Sequence, residues 1–201
     1  MAWAGFEGGE RLKIETTLGL LLVAIIGRMR RTLRNPIVLT IAVVALSVFG
    51  MAKDNVKIAV KDSAGKTIGW AMIQSASEGV HVKLTLDHMT PGEHAVHFHS
   101  VAKCEGPDFK SAGPHFNPES KQHGLQNPDG HHAGDMDNFT VDSKGKAAVD
   151  LFSKDVNLGS DNHSLFSNGG TAIVVHAKAD DMRTDPSGNS GDRVACGVIS
   201  K

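Results

Sequence analysis

Histidine is missing from the first 80 residues of this 201-residue chain, and all 11 copies fall between His81 and His176. Residues 1–80 therefore take no part in imidazole chemistry. Long apolar runs are missing too. Leu18–Ile26 and Ile37–Phe49 are both well short of the roughly 20 residues that cross a bilayer as a helix. Cysteine occurs only as Cys104 and Cys196, and none follows the second apolar run. That absence argues against a lipid-modified N-terminus. Nor is there a basic surplus: past residue 52, acidic residues outnumber basic ones by four. No nucleic-acid partner is expected from such a balance.

The chain reads as an N-terminal signal or extension segment, 1–52, followed by one domain, 53–201. Arg30, Arg31 and Arg34, the apolar Ile37–Val48 and the small-residue ending Gly50-Met51-Ala52 come in that order. This is the order of a secretory signal peptide. Cleavage is expected after Ala52, and export to the periplasm follows. Met29 is the expected natural start, because Met29-Arg30-Arg31 opens a signal of ordinary length. The alternative is a retained segment that anchors the protein on the periplasmic side of a membrane. In an oxidising compartment the cysteine pair reads as one disulfide. It would close 92 positions, worth about 4–5 kcal/mol in the loop-entropy account. Without export the two residues read as buried free thiols.

After residue 53, apolar residues alternate with period two at short intervals, the pattern of half-buried strands. Val56–Val60, Ile68–Met72, Val80–Leu86, Glu93–Ser100, Phe139–Val141, Ala147–Leu151, Thr171–His176 and Arg193–Ile199 make eight predicted strands. Ser63-Ala64-Gly65-Lys66, Thr90-Pro91-Gly92 and Asp142-Ser143-Lys144-Gly145 are turns. No helix is expected. The fold class is all-β: a Greek-key sandwich or flattened barrel. Two long segments, 101–137 and 177–192, lack periodicity, and loops of that length in a compact domain are usually functional.

The chemistry concentrates there. His97 and His99 lie two apart on a predicted strand, so both imidazoles leave one face about 7 Å apart, while Val96 and Phe98 face the core. His115, His123, His132 and Asp135 follow in the first long loop. Three nitrogens and one oxygen suit tetrahedral zinc, and four donors with no open position make a structural site. His176, at the end of a predicted strand, supplies a further imidazole to His97 and His99. An all-imidazole set favours copper, which cycles between two oxidation states.

Four stretches carry a resemblance. Gly92-Glu93-His94-Ala95-Val96-His97-Phe98-His99, Ser111-Ala112-Gly113-Pro114-His115-Phe116-Asn117-Pro118, His132-Ala133-Gly134-Asp135 and Gly191-Asp192-Arg193-Val194-Ala195-Cys196-Gly197 occur in this order. With them, residues 53–201 resemble the copper/zinc superoxide dismutases, specifically the exported bacterial form. The resemblance implies dismutation of superoxide to O2 and hydrogen peroxide, as antioxidant defence. It implies copper on His97, His99, His115 and His176, and zinc on His115, His123, His132 and Asp135, with His115 bridging the two. It further implies that Asp180 links a copper histidine to a zinc histidine, that Arg193 attracts the anionic substrate, and that Cys104 pairs with Cys196. Ala95-Val96 replaces the Gly-Phe usual in the family before the first copper histidine, a difference of packing.

Of the remaining histidines, His94 is expected to make a structural hydrogen bond. His131 is expected to be exposed, and His81, His88 and His163 to be ordinary surface or strand residues. Two other functions compete: a non-catalytic copper-binding protein on the same scaffold, and a two-zinc hydrolase. Retention of every ligand and of the arginine disfavours the first. The second needs more carboxylates than Asp135 alone, and an open water position. Monomer and homodimer both remain open, and membrane contact is expected only if the N-terminal segment is retained.

Overall fold

Alternation of buried and exposed side chains sets the strands. In Val80–Leu86, Val80, Val82, Leu84 and Leu86 are buried, and His81, Lys83 and Thr85 face solvent. The computed structural model describes residues 55–201. The signal segment, the cleavage after Ala52, the Met29 start and the membrane anchor lie outside those residues.

Nine strands are present among the described residues: β1 (Asn55–Asp62), β2 (Thr67–Ser75), β3 (Val80–Leu86), β4 (Gly92–His94), β5 (Val96–His99), β6 (Phe139–Val141), β7 (Ala147–Ser153), β8 (Thr171–His176) and β9 (Arg193–Ile199). The described residues contain two 3-10 turns and no α-helix. Seven strands form an antiparallel sheet in the order β5-β8-β9-β1-β2-β3-β7, and β4 pairs with β6. β3 and β7 are neighbours although β4, β5 and β6 lie between them in sequence, a Greek-key excursion.

The expected eight strands become nine at Ala95. There the chain changes partners: Gly92–His94 pairs with β6, and Val96–His99 pairs with β8. Ala95 N donates to Lys178 O at 2.8 Å, and His176 N donates to Ala95 O at 2.9 Å, so the break is tied into the second loop. Alternation is regular only from Val96 to His99, and no turn residue at Ala95 signals this exchange.

Two tight turns share one device. Asp62 Oδ1 accepts from Ala64 N and Lys66 N, and Asp142 Oδ1 accepts from Lys144 N and Lys146 N, all at 2.8–3.0 Å. An Asx side chain that caps its own turn fixes the hairpin locally.

The main core joins β1, β2, β3 and β7 to the inward faces of β5, β8 and β9, with Phe98, Ile173 and Val175 buried in it. β8 is buried on both faces. Its outer residues Ala172 and Val174 pack with Phe109, Ala112 and Cys196 in a second apolar cluster. The loop after β5 is thus clamped over the sheet, and the Cys104–Cys196 disulfide fastens it to β9 with Cα atoms 5.7 Å apart. The expected cysteine pairing is the one present, and the free-thiol alternative is excluded.

Candidate metal centre

β5 puts His97 and His99 on the face opposite Val96 and Phe98, and all four residues are buried. The free edge of β5 gathers the remaining residues. Phe116 N donates to Phe98 O at 2.8 Å, Phe98 N to Gly134 O at 2.9 Å, and Gly134 N to Phe116 O at 2.8 Å. These bonds set His115 opposite His99 and Asp135 opposite His97. Gly134 permits the approach, since a Cβ there would collide with Phe98 O. Loop order thus comes from the chain folding back onto the strand that precedes it.

Two sets of side chains converge: His97, His99, His115 and His176, and His115, His123, His132 and Asp135. In each, one donor atom per residue lies within 4.8 Å of all the others, and every member is buried. His115 belongs to both. Its ring centroid is 4.1 Å from that of His97 and 5.3 Å from that of His132.

In the first set His97 Nδ1, His99 Nε2, His115 Nε2 and His176 Nε2 are buried without a hydrogen-bond partner. Unsatisfied buried polar atoms are costly and rare. Four within 4.8 Å of one another suit a bound cation. The opposite nitrogens are held: His97 Nε2 donates to Asp180 Oδ2 at 2.8 Å, and His99 Nδ1 donates to Gly113 O at 2.8 Å. His176 Nδ1 faces Gly191 O at 3.3 Å and Ser190 Oγ at 3.1 Å.

In the second set Asp135 Oδ1 lies 2.9 Å from His115 Nδ1, 3.0 Å from His123 Nδ1 and 3.3 Å from His132 Nδ1. His115 Nδ1 and His132 Nδ1 are 3.3 Å apart. Both cannot carry protons without a clash, so the three imidazoles cannot all donate to Asp135 Oδ1. A cation at the centre removes the conflict. A tetrahedron with bonds near 2.0 Å has edges of about 3.3 Å, close to these separations. Asp135 Oδ2 accepts from Gly124 N at 2.9 Å and His132 N at 3.1 Å, while Oδ1 faces the three imidazoles. The donor chemistry of both sets therefore fits bound metal.

Asp180 joins the sets, since it also accepts from His123 Nε2 at 3.0 Å. It is itself clamped. Asn138 Nδ2 donates to Asp180 O and Asp180 N to Asn138 Oδ1, both at 2.8 Å. Gly188, at φ +61°, lies where a side chain would strike the Asp180 carboxylate. Asn138 and Gly188 had no signal in the sequence, because neither belongs to a metal-ligand residue type.

Electrostatics follow burial and partners. Burial, with the positive charge His97 would carry, pushes the His176 pKa down to about 3. Burial likewise lowers His115 to about 4, with Asp135 opposing. Burial disfavours a charged His123, but the Asp135 and Asp180 carboxylates outweigh it and raise that ring to about 9. Burial would raise Asp135, yet the three facing imidazoles hold its carboxyl far below the usual range.

A cleft of about 580 Å3 opens onto this centre, lined by His115, His132, His176, Pro186 and Arg193 among others. Arg193 is half-buried. It donates from Nη1 to Phe109 O and from Nη2 to Gly113 O, both at 2.8 Å, so the disulfide-bearing loop fixes its position. Among the described residues it is the arginine that lines this cleft.

Residues 67–199 match the copper/zinc superoxide dismutase family. The chain belongs to that family. A Cu-Zn superoxide dismutase of Aquifex aeolicus is 49% identical over 138 residues, covering 67% of this chain and 81% of that protein. One from Caulobacter vibrioides is 43% identical over 143 residues, covering 70% and 82%. Among solved structures, a superoxide dismutase-like protein from Bacillus subtilis aligns with TM-score 0.69 and 37% identity, over 71% of this chain and 97% of that one. The Cu/Zn superoxide dismutase from Brucella abortus aligns with TM-score 0.60 and 26% identity, over 73% and 100%. As a Cu/Zn superoxide dismutase, the enzyme converts superoxide to O2 and hydrogen peroxide, with copper and zinc as cofactors.

The other histidines mostly follow expectation. His94 is buried, with Nδ1 2.7 Å from His176 O and Nε2 2.7 Å from Thr90 O. His81, paired with Asp150, is at the surface. His131 differs: it is partly buried, with Nε2 2.8 Å from Asp155 Oδ2, which ties the first loop to the segment after β7.

Proposed function

We propose that His97 Nδ1, His99 Nε2, His115 Nε2 and His176 Nε2 bind copper, and that His115 Nδ1, His123 Nδ1, His132 Nδ1 and Asp135 Oδ1 bind zinc, with His115 shared. The observation that carries this reading is the set of four orphaned imidazole nitrogens, one of them on a ring whose other nitrogen faces Asp135. The overall reaction takes two superoxide anions and two protons to O2 and hydrogen peroxide. Bound copper would supply the alternating one-electron oxidation and reduction.

The chain's own residues supply the rest. Arg193 draws the small anion into the cleft, against the acidic balance of the domain. Asp180 accepts from His97 and His123 and fixes both rings, the role of a carboxylate behind metal-bound imidazoles. The zinc set holds the His115 ring by Nδ1, which leaves Nε2 able to take up a proton and return it to reduced oxygen in the cleft. The excess of ligands in the first loop explains how that loop is pinned without regular structure.

The same reading makes the protein an exported, periplasmic enzyme. It is supported by the signal-like order of residues 1–52, by bacterial relatives and by the disulfide. Membrane contact would come only through a retained N-terminal segment, and both a monomer and a homodimer fit.

Metal analysis of the full chain with a superoxide-consumption assay tests the assignment. One copper and one zinc with turnover are expected. His176→Ala should lose copper and keep zinc; Asp135→Ala should lose zinc and keep copper. Copper without turnover would favour the copper-binding protein, and two zinc ions the hydrolase.

A further inference from the structure

The four imidazoles of the proposed copper set are not held equally. His97 and His99 each donate to one acceptor at 2.8 Å, and the His115 ring is fixed through Asp135 at 2.9 Å. His176 is different. Its ladder register shifts between Val175 and His176, so β8 does not dictate the direction of the ring. Its backbone acceptor, Gly191 O, lies 3.3 Å from Nδ1, beyond the usual 2.7–3.2 Å for an N–H···O bond. Ser190 Oγ, at 3.1 Å, is the nearer acceptor.

Ser190 is built to hold that place. It is fully buried. Its N–H donates to Ser187 O at 3.2 Å, and its carbonyl accepts from Lys178 N at 2.9 Å, which ties it to the segment leaving β8. Its neighbours Asn189 and Gly191 both have left-handed backbones, φ 53° and 77°, so a tight turn brings the hydroxyl to the His176 ring.

We propose that Ser190 is a positioning residue for the copper centre: its buried hydroxyl shares the Nδ1–H of His176 with the Gly191 carbonyl and so aims Nε2 at the metal. An acceptor behind a ligating imidazole fixes its tautomer and plane and raises the basicity of the ligating nitrogen. Without the hydroxyl, the ring is left with one long contact and is free to tilt. The inference rests on His176 being a copper ligand.

The test uses the full chain as wild type, Ser190→Ala and His176→Ala, each loaded with copper and zinc. Zinc content, Cu(II) affinity by competition with a chelator and the Cu(II) electron paramagnetic resonance spectrum are measured. Ser190→Ala is expected to keep its zinc, to bind Cu(II) about tenfold more weakly and to show a spectrum displaced from wild type. If Ser190→Ala matches wild type in affinity and spectrum while His176→Ala does not, the role of Ser190 is overturned and the ligand assignment stands. Loss of zinc along with copper in Ser190→Ala would also overturn it, as the mark of a general packing role. If His176→Ala itself matches wild type, His176 is no ligand and both readings fall.

Discussion

Arg193 and Gly188 show how differently single residues act on one centre. Arg193 lines the cleft as a cation anchored by two carbonyls, and its proposed contribution is attraction of the substrate. Arg193→Glu should lower the superoxide-consumption rate on the order of 100-fold, within the range that electrostatic steering supplies. Metal content should not change, and an unaltered rate would remove Arg193 from the mechanism. Gly188 acts by having no side chain. Gly188→Ala should displace the Asp180 carboxylate from His123 and His97 and weaken zinc binding about 10–100-fold, read by chelator competition. At this scale the proposed ligands were legible because imidazole and carboxylate advertise metal chemistry. Gly188, Asn138 and the Gly113 carbonyl were not, because a backbone atom or an absent side chain leaves no residue type to read.

The element that organises the site is β5 with the loop that follows it. Period-two alternation marked the strands wherever one face meets solvent, as in β3. It could not mark the exchange at Ala95, where the partner changes with no turn residue in between. The course of the first loop was also hidden, since it is fixed by β5's free edge, by the ligands and by the disulfide to β9. Replacing both Cys104 and Cys196 by serine should lower unfolding free energy by about 4–5 kcal/mol, measured by urea denaturation. The same variant should bind copper less tightly, because Gly113 O, which holds His99, lies on the released loop.

Across the whole molecule, the buried imidazoles make stability of the metal-free protein depend on pH. His115 and His176 stay neutral in the folded chain down to about pH 4 and 3, whereas unfolded histidine protonates near 6.5. Between those limits the unfolded state binds more protons, so stability falls as pH drops below about 6.5. His123, raised to about 9, acts in the opposite sense: its contribution is complete below about 6.5 and fades as pH rises towards 9. Urea midpoints of the metal-free protein across this range should therefore decline on both sides, and a flat profile would contradict the assigned shifts. Metal removal should also raise hydrogen exchange within 115–137 and leave β2 and β3 protected, because the loop relies on its ligands and the strands on the core.

Gly113 O accepts from His99 Nδ1 and from Arg193 Nη2. The arginine proposed to guide substrate and a proposed copper ligand thus hang from a single peptide. A displacement of the Gly113 peptide should therefore alter both proposed roles at once, whereas a change at Arg193 itself leaves the His99 contact in place.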